Sequence, residues 1–305
     1  IMKEFKMDFY STTNLKSYDL NESMRYQLAM LDSLDVFTRL HSENVANLTC
    51  RICEYMHMKD YFTVYCTICA YLHDIGKQFI PPTILQKNGP LTDEEYAVMK
   101  THTTIGYNMC MRDEKLRPYA AGPIYHHEAL DGTGYPNGVA KGNLPLEGQI
   151  IRVADEFDAI TAKRQYKSHV GVCDTLKILI DKTHPDKKIG AKVGKVNPKV
   201  VKALIKVVID DTEYELYNLG EYVKYLEKEG NRLQQIASYE DKMNNARSES
   251  DRAYYANGIS ALLSTGETLE NYRTVLNEYV QAGITKKQQM DKLSDELKEI
   301  KKLKV

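Results

Sequence analysis

The sequence lacks any apolar run as long as a membrane-spanning helix, which needs about 20 apolar residues. It begins with a mixed segment, Ile1-Met2-Lys3-Glu4-Phe5, which is unlike the apolar core of a secretory signal peptide. These two absences predict a cytoplasmic protein that has no membrane partner.

The sequence also has little excess of either charge, because 41 basic and 42 acidic residues leave a formal net charge of -1. No DNA partner is therefore expected, and a polyanionic ligand would require local cations or metal ions. Six cysteines in 305 residues do not make a disulfide framework. The 43% hydrophobic content is typical of a soluble protein with a substantial apolar core.

Helical periodicity dominates what is present. Residues 24–34 place Met and Leu at spacings of three and four, which favours an amphipathic helix. Pro81-Pro82 interrupts this pattern, and residues 131–148 are rich in Gly, Pro and Asn, as loops are. No series of strands and no internal repeat is visible, so the predicted fold is all-α.

The pattern divides the chain into three predicted parts. Residues 1–18 indicate a flexible lead-in, residues 19–210 a main domain, and residues 211–305 a helical extension whose role is open. No histidine occurs after His184, and Tyr, Glu, Lys, Asn and Gln dominate the extension. An apolar stripe within residues 285–303 predicts an amphipathic helix, which could pack on the main domain or pair in a homodimer.

Two adjacent doublets, His73-Asp74 and His126-His127, suggest metal chemistry. Neighbouring helical residues point about 100° apart, so each doublet could serve two adjacent metal ions, with the carboxylate bridging them. His41, His102 and Asp155 could complete the ligand shells. A single buried histidine is more often a core residue than a ligand, but seven residues with two doublets favour ligands. Nitrogen and oxygen ligands without a thiolate suit Fe, Mn or Zn.

A competing pattern of two C-x-x-C pairs, Cys50/Cys53 and Cys66/Cys69, has the spacing of a zinc site. Both pairs lie within helical patterns and have no Gly or Pro turn beside them. We therefore expect these cysteines to pack in the core, where cysteine behaves as a small hydrophobe. The lysines of residues 187–199 are expected to form a solvated loop, with steering of an anionic ligand as the alternative.

Two long segments carry a family resemblance: Tyr71–Lys77, which is YLHDIGK, and His126–Pro136, which is HHEALDGTGYP. Shorter similar segments surround His41, Thr92–His102 and Asp155–Ala159. Together they resemble the signatures of the HD-GYP family, a branch of the HD phosphohydrolases. The resemblance covers about residues 28–208.

The resemblance implies an HD-type helical bundle that hydrolyses a cyclic dinucleotide, typically cyclic di-GMP, to pGpG or, after a second cleavage, to GMP. It implies divalent metal ions, with Fe or Mn favoured and Zn, Ni or Co as alternatives. A hydroxide bridging the metals would attack phosphorus in line with the 3′ oxygen. By motif position, one metal would be held by His41, His73, Asp74 and Asp155, and a second by Asp74, His102, His126 and His127.

The resemblance also implies contacts to the substrate. Lys77 lies one turn after His73 and would stabilise charge on the scissile phosphate, although a solvated surface lysine is the alternative. Arg164 would grip the other phosphate, since a guanidinium suits bidentate contacts. The loop Gly134-Tyr135-Pro136 would shape the cleft, with a structural role as likely as substrate contact.

The sequence departs from the family pattern at two positions. Phe37 stands where some members carry a glutamate that serves a third metal, so we expect two metal ions, with Asp35 a poorly placed substitute. Gln149 replaces an arginine that often precedes the last ligand, so one phosphate or structural contact is expected to be lost.

Two other functions stay open. The same chemistry could act on cyclic GMP-AMP or on pGpG, because the base-contacting residues do not belong to these motifs. A degenerate domain could instead sense a cyclic dinucleotide without cleaving it. The complete ligand set disfavours that alternative.

Overall fold

Two of the described helices in the first part of the chain begin at capping signals that the sequence supplies. The computed structural model describes residues 34–161, 170–264 and 266–305. Asp35 caps the first helix by accepting from the backbone of Phe37 and Thr38. Thr92 and Glu95 form a reciprocal capping box at the start of another. Within the described ranges no strand occurs, so the predicted all-α fold is confirmed.

The chain divides into two compact units. The first unit reaches Asp210 and also takes in Glu299–Val305, and the second is Asp211–Lys298. Helices that lie within the first unit are α1 (Val36–Tyr55), α2 (Asp60–Leu72), α3 (Pro82–Leu85), α4 (Asp93–Lys100), α5 (His102–Arg112), α6 (Ala121–Tyr125), α7 (Leu146–Thr161) and α8 (Val172–Asp181). The remaining helices are α9 (Pro198–Asn245), α10 (Glu249–Leu262) and α11 (Tyr272–Lys302).

The first unit is built around one main apolar core, in which α1 packs against α2 and α7. Core side chains also come from α8 and from the first turns of α9. Cys53, Cys66 and Cys69 are fully buried, and Cys50 is 1% exposed. All four therefore pack in the interior as predicted, since a buried thiol behaves as a small apolar group.

The second unit has a separate, smaller core that contains Leu233, Ile236, Ile259 and Tyr272. Arg232 joins its segments, because the guanidinium pairs with Glu267 at 2.7 Å and with Glu229 at 2.9 Å. The predicted amphipathic segment lies within α11, of which Leu297 and Ile300 are buried. Among the described residues, no helix combines the length and apolar character that crossing a bilayer would require.

Candidate metal centre

The first doublet, His73-Asp74, lies at the end of α2. The α-helix stops at Leu72, and a 3₁₀ turn, Ile75–Phe79, follows directly. His73 and Asp74 occupy the junction, so the chain turns between helical types at these two residues. Gly76 lets the turn lie against α5, because a Cβ at this position would be 2.0 Å from the His102 carbonyl oxygen. The doublet therefore sits next to His102 at the start of α5.

Four further segments converge on this junction. His41 comes from the middle of α1, His102 is the first residue of α5, His126 and His127 follow α6, and Asp155 lies on α7. All seven predicted ligand residues are thus brought together. Six of them are less than 10% exposed, and His127, whose side chain is 24% exposed, forms the open side of the cluster.

Three of the histidines use the same ring nitrogen as a hydrogen-bond donor. The Nδ1–H groups of His73, His102 and His126 donate to the carbonyl oxygens of Ala70, Met99 and Gly122, at 2.6, 2.6 and 3.0 Å. Each of these rings therefore turns its Nε2 toward the cluster. This is the orientation that backbone carbonyls commonly impose on metal-binding histidines.

The Asp74 carboxylate lies at the middle of the cluster. Its Oδ2 is 3.2 Å from His73 Nε2 and 3.6 Å from His41 Nε2, and its Oδ1 is 3.4 Å from His102 Nε2. The two oxygens therefore face different groups of histidines. A carboxylate in this position can bridge two cations, as the adjacent doublet predicts.

The Asp155 carboxylate faces three rings. Its Oδ1 is 3.0 Å from His41 Nε2 and 4.0 Å from His73 Nε2, and its Oδ2 is 3.7 Å from His127 Nδ1. Three groups have ligand atoms within 4.8 Å of one another: His41, His73 and Asp155; His73, Asp74 and His126; and His102, His126 and His127.

The unpaired buried atoms fit a bound cation. Among the described residues, His73 Nε2 and Asp74 Oδ1 are buried with no hydrogen-bond partner. His102 Nε2 and His126 Nε2 face each other at 3.1 Å, although both rings already donate through Nδ1. Lone pairs that converge in a buried space repel one another unless a cation lies between them. The residues present therefore fit divalent metal binding.

Electrostatics keep His102, His127 and Asp74 in the protonation states that a metal requires. Burial lowers the pKa of His102 to about 4 and that of His127 to about 3, so both rings are neutral at pH 7. Burial opposes ionisation of Asp74, but the neighbouring His73 and Lys77 outweigh it and hold the pKa of the carboxyl well below its ordinary value. Neutral imidazoles and an ionised carboxylate are the forms that bind metal.

His41 behaves differently from the other rings. Burial opposes its protonation, but hydrogen bonds to Asp155 and Asp158 raise the pKa of His41 to about 9. Its Nδ1–H donates to Asp158 Oδ2 at 2.6 Å, and its Nε2 faces Asp155 Oδ1. A cation at Nε2 of His41 would displace the proton on that nitrogen. The proton on Nδ1 would stay in its hydrogen bond to Asp158.

Asp158 is a residue to which the sequence analysis gave no role. It stands in the same D-E-F-D-A segment as Asp155, three residues later and hence on the same face of α7. That spacing is the signal that could have identified it. Its carboxylate orients His41 in the way that second carboxylates orient metal-binding histidines.

Replacing Asp158 by asparagine is expected to lower metal affinity about 10–100-fold, because the amide cannot hold the Nδ1 proton of His41 as strongly. Metal titration of the stripped protein, followed by calorimetry, measures this change. Asp174→Asn on α8 is the matched control, since Asp174 is exposed and, among the described residues, pairs with the exposed Lys177. Equal affinities in Asp158→Asn and the parent protein would contradict this role.

The loop after the second doublet is anchored by Glu128. This fully buried carboxylate accepts from the backbone N–H of Asn137 at 2.7 Å and of Val139 at 2.8 Å. At Gly134 the backbone approaches so closely that a Cβ would lie 2.3 Å from the Ala129 nitrogen. Gly134 therefore has a packing role, and its predicted contact with substrate stays a prediction, as does that of Pro136.

Tyr135 connects this loop to the cluster. Its ring stacks on that of His127, with centroids 4.6 Å apart and planes 29° apart. Lys77 lies beside the first doublet, where its Nζ is 2.5 Å from Asp74 Oδ2. Lys77 is 19% exposed, so it is held by the carboxylate and is not a freely solvated lysine. Arg164 lies outside the described residues.

The two departures from the family pattern have structural explanations. Phe37 is 80% exposed in the first turn of α1. Both oxygens of Asp35 are used in capping that helix, which disfavours Asp35 as a ligand for a third metal. Gln149 donates to the Leu144 carbonyl and accepts from Asn197, each at 2.8 Å, so this side chain keeps a structural contact.

The sequence of this chain is similar to those of known proteins. Residues 25–189, more than half of the chain, match the HD domain family. The chain therefore belongs to the HD domain family. Its resemblance to the HD-GYP phosphodiesterases is confirmed by curated relatives that carry this activity in their names.

A cyclic di-GMP phosphodiesterase of Thermotoga maritima is 38% identical over 182 residues, which are 59% of this chain and 47% of the relative. A cyclic di-GMP phosphodiesterase of Pseudomonas aeruginosa is 30% identical over 182 residues, 59% of this chain and 42% of the relative. A 3′3′-cGAMP-specific phosphodiesterase of Vibrio cholerae is 43% identical over 155 residues, 49% of this chain and 30% of the relative. The chain thus spans less than half the length of each of these three relatives.

Proposed function

We propose that this chain is a metal-dependent phosphodiesterase that hydrolyses cyclic di-GMP to pGpG, to GMP, or to both. The observation that carries the proposal is the convergence of five histidines and two aspartates at one site, where His102 Nε2 and His126 Nε2 face each other and His73 Nε2 is buried without a hydrogen-bond partner. The curated relatives named as cyclic di-GMP phosphodiesterases support the choice of substrate.

The proposed centre has two ions, with Fe or Mn favoured over Zn, Ni or Co. His41, His73, Asp74 and Asp155 would hold one ion, and Asp74, His102, His126 and His127 the other. The two groups of histidines that face opposite oxygens of Asp74 support this division. When bound, the ions would polarise a phosphoryl oxygen and acidify a water molecule.

The residues of the chain position the substrate for this reaction. Lys77 holds its ammonium group at the edge of the cluster against Asp74, where it can donate to a phosphoryl oxygen as negative charge develops. Tyr135 fixes the ring of His127 by stacking, and Asp158 fixes that of His41. The remaining proposed contact is that of Arg164 with the phosphate that is not cleaved.

Removal of metal is expected to abolish hydrolysis, and Fe²⁺ or Mn²⁺ added under anaerobic conditions should restore it. Chromatography of pGpG and GMP measures turnover, and elemental analysis measures the bound metal. Mg²⁺ is the control, because it prefers oxygen ligands and should restore little activity at a histidine-rich site. Full activity in the stripped protein, or equal restoration by Mg²⁺, would refute the proposed centre.

A second substrate, 3′3′-cyclic GMP-AMP, is favoured by the identity of 43% to a phosphodiesterase named for it. The metal cluster would act on either cyclic dinucleotide in the same way, because the seven residues contact no base. Parallel measurement of kcat/KM for the two compounds and for pGpG decides between them. A ratio above about tenfold in favour of one compound would identify the preferred substrate.

A further inference from the structure

Helix α4 places a tyrosine and a lysine beside the metal cluster. Tyr96 and Lys100 are four residues apart and so share one face of the helix. Lys100 Nζ lies 5.0 Å from the centroid of the Tyr96 ring and 5.8 Å from that of the Tyr135 ring. The two rings meet edge to face, with centroids 6.3 Å apart. We call Tyr96, Lys100 and Tyr135 the aromatic wall.

The aromatic wall adjoins the open side of the cluster. Tyr135 stacks directly on His127, which is the most exposed of the five clustered histidines. Lys100 ends α4, and His102 begins α5 only two residues later. A substrate that reaches the cluster past His127 therefore passes along this wall.

Lys77 and Lys100 differ in the partners of their ammonium groups. Lys77 is paired with Asp74, whereas Lys100 has no carboxylate partner within the part of the chain that the structure describes. Its ammonium lies over aromatic rings, which attract a cation but leave it able to donate hydrogen bonds. An unpaired ammonium beside a phosphodiester site suits a phosphate oxygen.

The ring of Tyr96 supplies a different contact. Tyr96 is 46% exposed, although it is held by Lys100 and by the edge-to-face contact with Tyr135. A fixed, exposed aromatic ring next to a cation is a stacking surface for a nucleobase, because every base has a flat π face. Tyr96 and Lys100 are about one turn apart along α4, and the Lys100 ammonium lies 5.0 Å from the centre of the Tyr96 ring, so one nucleotide can reach both side chains.

We propose that the aromatic wall binds one purine nucleotide of the substrate, with Tyr96 stacking on the base and Lys100 holding the phosphate that is not cleaved. This inference rests on the proposed cyclic dinucleotide phosphodiesterase function. The proposed contact of Arg164 is compatible with it, since a phosphodiester has two non-bridging oxygens.

The test compares cyclic di-GMP with bis(p-nitrophenyl) phosphate, a phosphodiester that has neither a purine nor a second phosphate. The measured quantity is the ratio of the two kcat/KM values. Tyr96→Leu is expected to lower this ratio about tenfold through KM, and Tyr96→Phe, which keeps the ring, should leave it within about twofold. Tyr61→Leu, at an exposed position in the first turn of α2, is the control for loss of a tyrosine.

Lys100→Gln is expected to lower the same ratio about tenfold, because a charged hydrogen bond to phosphate is lost. It should also weaken the dependence of the KM for cyclic di-GMP on salt, since salt screens the lost charge. An unchanged ratio in both Tyr96→Leu and Lys100→Gln overturns the inference. A proportional fall for both compounds in Lys100→Gln overturns it too, because bis(p-nitrophenyl) phosphate has no second phosphate for Lys100 to hold.

Nucleotide binding separates this inference from the proposed function. Equilibrium dialysis compares GMP with ribose 5-phosphate, which lacks the base, and neither compound has a phosphodiester to cleave. The wild-type protein should bind GMP more tightly, and Tyr96→Leu should lose about tenfold of this preference. If the protein binds GMP with this preference but cleaves no cyclic dinucleotide, the proposed function is refuted and the proposed nucleotide contact of the aromatic wall is supported. If GMP and ribose 5-phosphate bind equally, the wall is refuted whatever the protein cleaves.

Discussion

Replacing Asp74 by asparagine is expected to lower the turnover of cyclic di-GMP by about a thousandfold, because the carboxylate would hold the ions that stabilise the transition-state charge. Asparagine keeps the shape of the side chain but removes the negative charge that faces His73, His102 and Lys77. The metal content of the purified protein should fall in parallel. Anaerobic turnover and elemental analysis on the same preparation measure both effects.

The control for this substitution is Asp181→Asn at the end of α8, where an exposed carboxylate is replaced. The thermal unfolding curve of Asp74→Asn shows whether the fold survives, since Lys77 loses its partner in this variant. A protein that keeps its metal and retains turnover within about threefold would exclude Asp74 as a bridging ligand. Loss of turnover with full metal content would assign Asp74 to the chemistry alone.

Local sequence motifs predicted which side chains cluster, because each doublet lies in a long and specific segment. The all-α fold followed from helical periodicity and from the absence of strand patterns. The sequence could not show that α2 stops at Leu72, nor that His102 begins a new helix after Thr101, because such junctions depend on tertiary packing. These two junctions are what bring the doublet and His102 together.

The groups that support the ligands were harder to find. Asp158 was visible in a known segment, but its partner, His41, lies 117 residues away along the chain. Glu128 binds backbone N–H groups nine and eleven residues later, and no motif rule predicts such a contact. Tyr96 and Lys100 show only ordinary helical spacing, so their relation to Tyr135 required the folded loop. Sequence motifs thus identify the side chains of the histidine and aspartate cluster more readily than the residues that orient those side chains or lie beside them.

Gly76→Ala is expected to destabilise the first unit by about 3 kcal/mol, at the upper end of ordinary overpacking. The added Cβ would lie 2.0 Å from the His102 carbonyl oxygen and 2.7 Å from the Gly106 nitrogen. Both are backbone atoms of α5, so the clash cannot be relieved by rotating a side chain. For a unit of this size, the midpoint of thermal unfolding should fall by on the order of 10 °C, as followed by circular dichroism.

Gly230→Ala within α9 makes the same chemical change where no atom lies within 4 Å of the new Cβ. Gly230→Ala should raise the free energy of unfolding by about 0.5–1 kcal/mol, because alanine is the better helix former. Gly76→Ala should also weaken metal binding, since relief of the clash moves His73 and Asp74 away from His102. If Gly76→Ala unfolds at the same temperature as the parent protein and binds metal normally, the 3₁₀ turn can shift without disturbing the metal centre, and the prediction is wrong. We therefore expect stability and metal affinity to change together. The backbone of the 3₁₀ turn approaches that of α5 at Gly76, and this contact both packs α5 against the turn and sets the distance from His73 and Asp74 to His102.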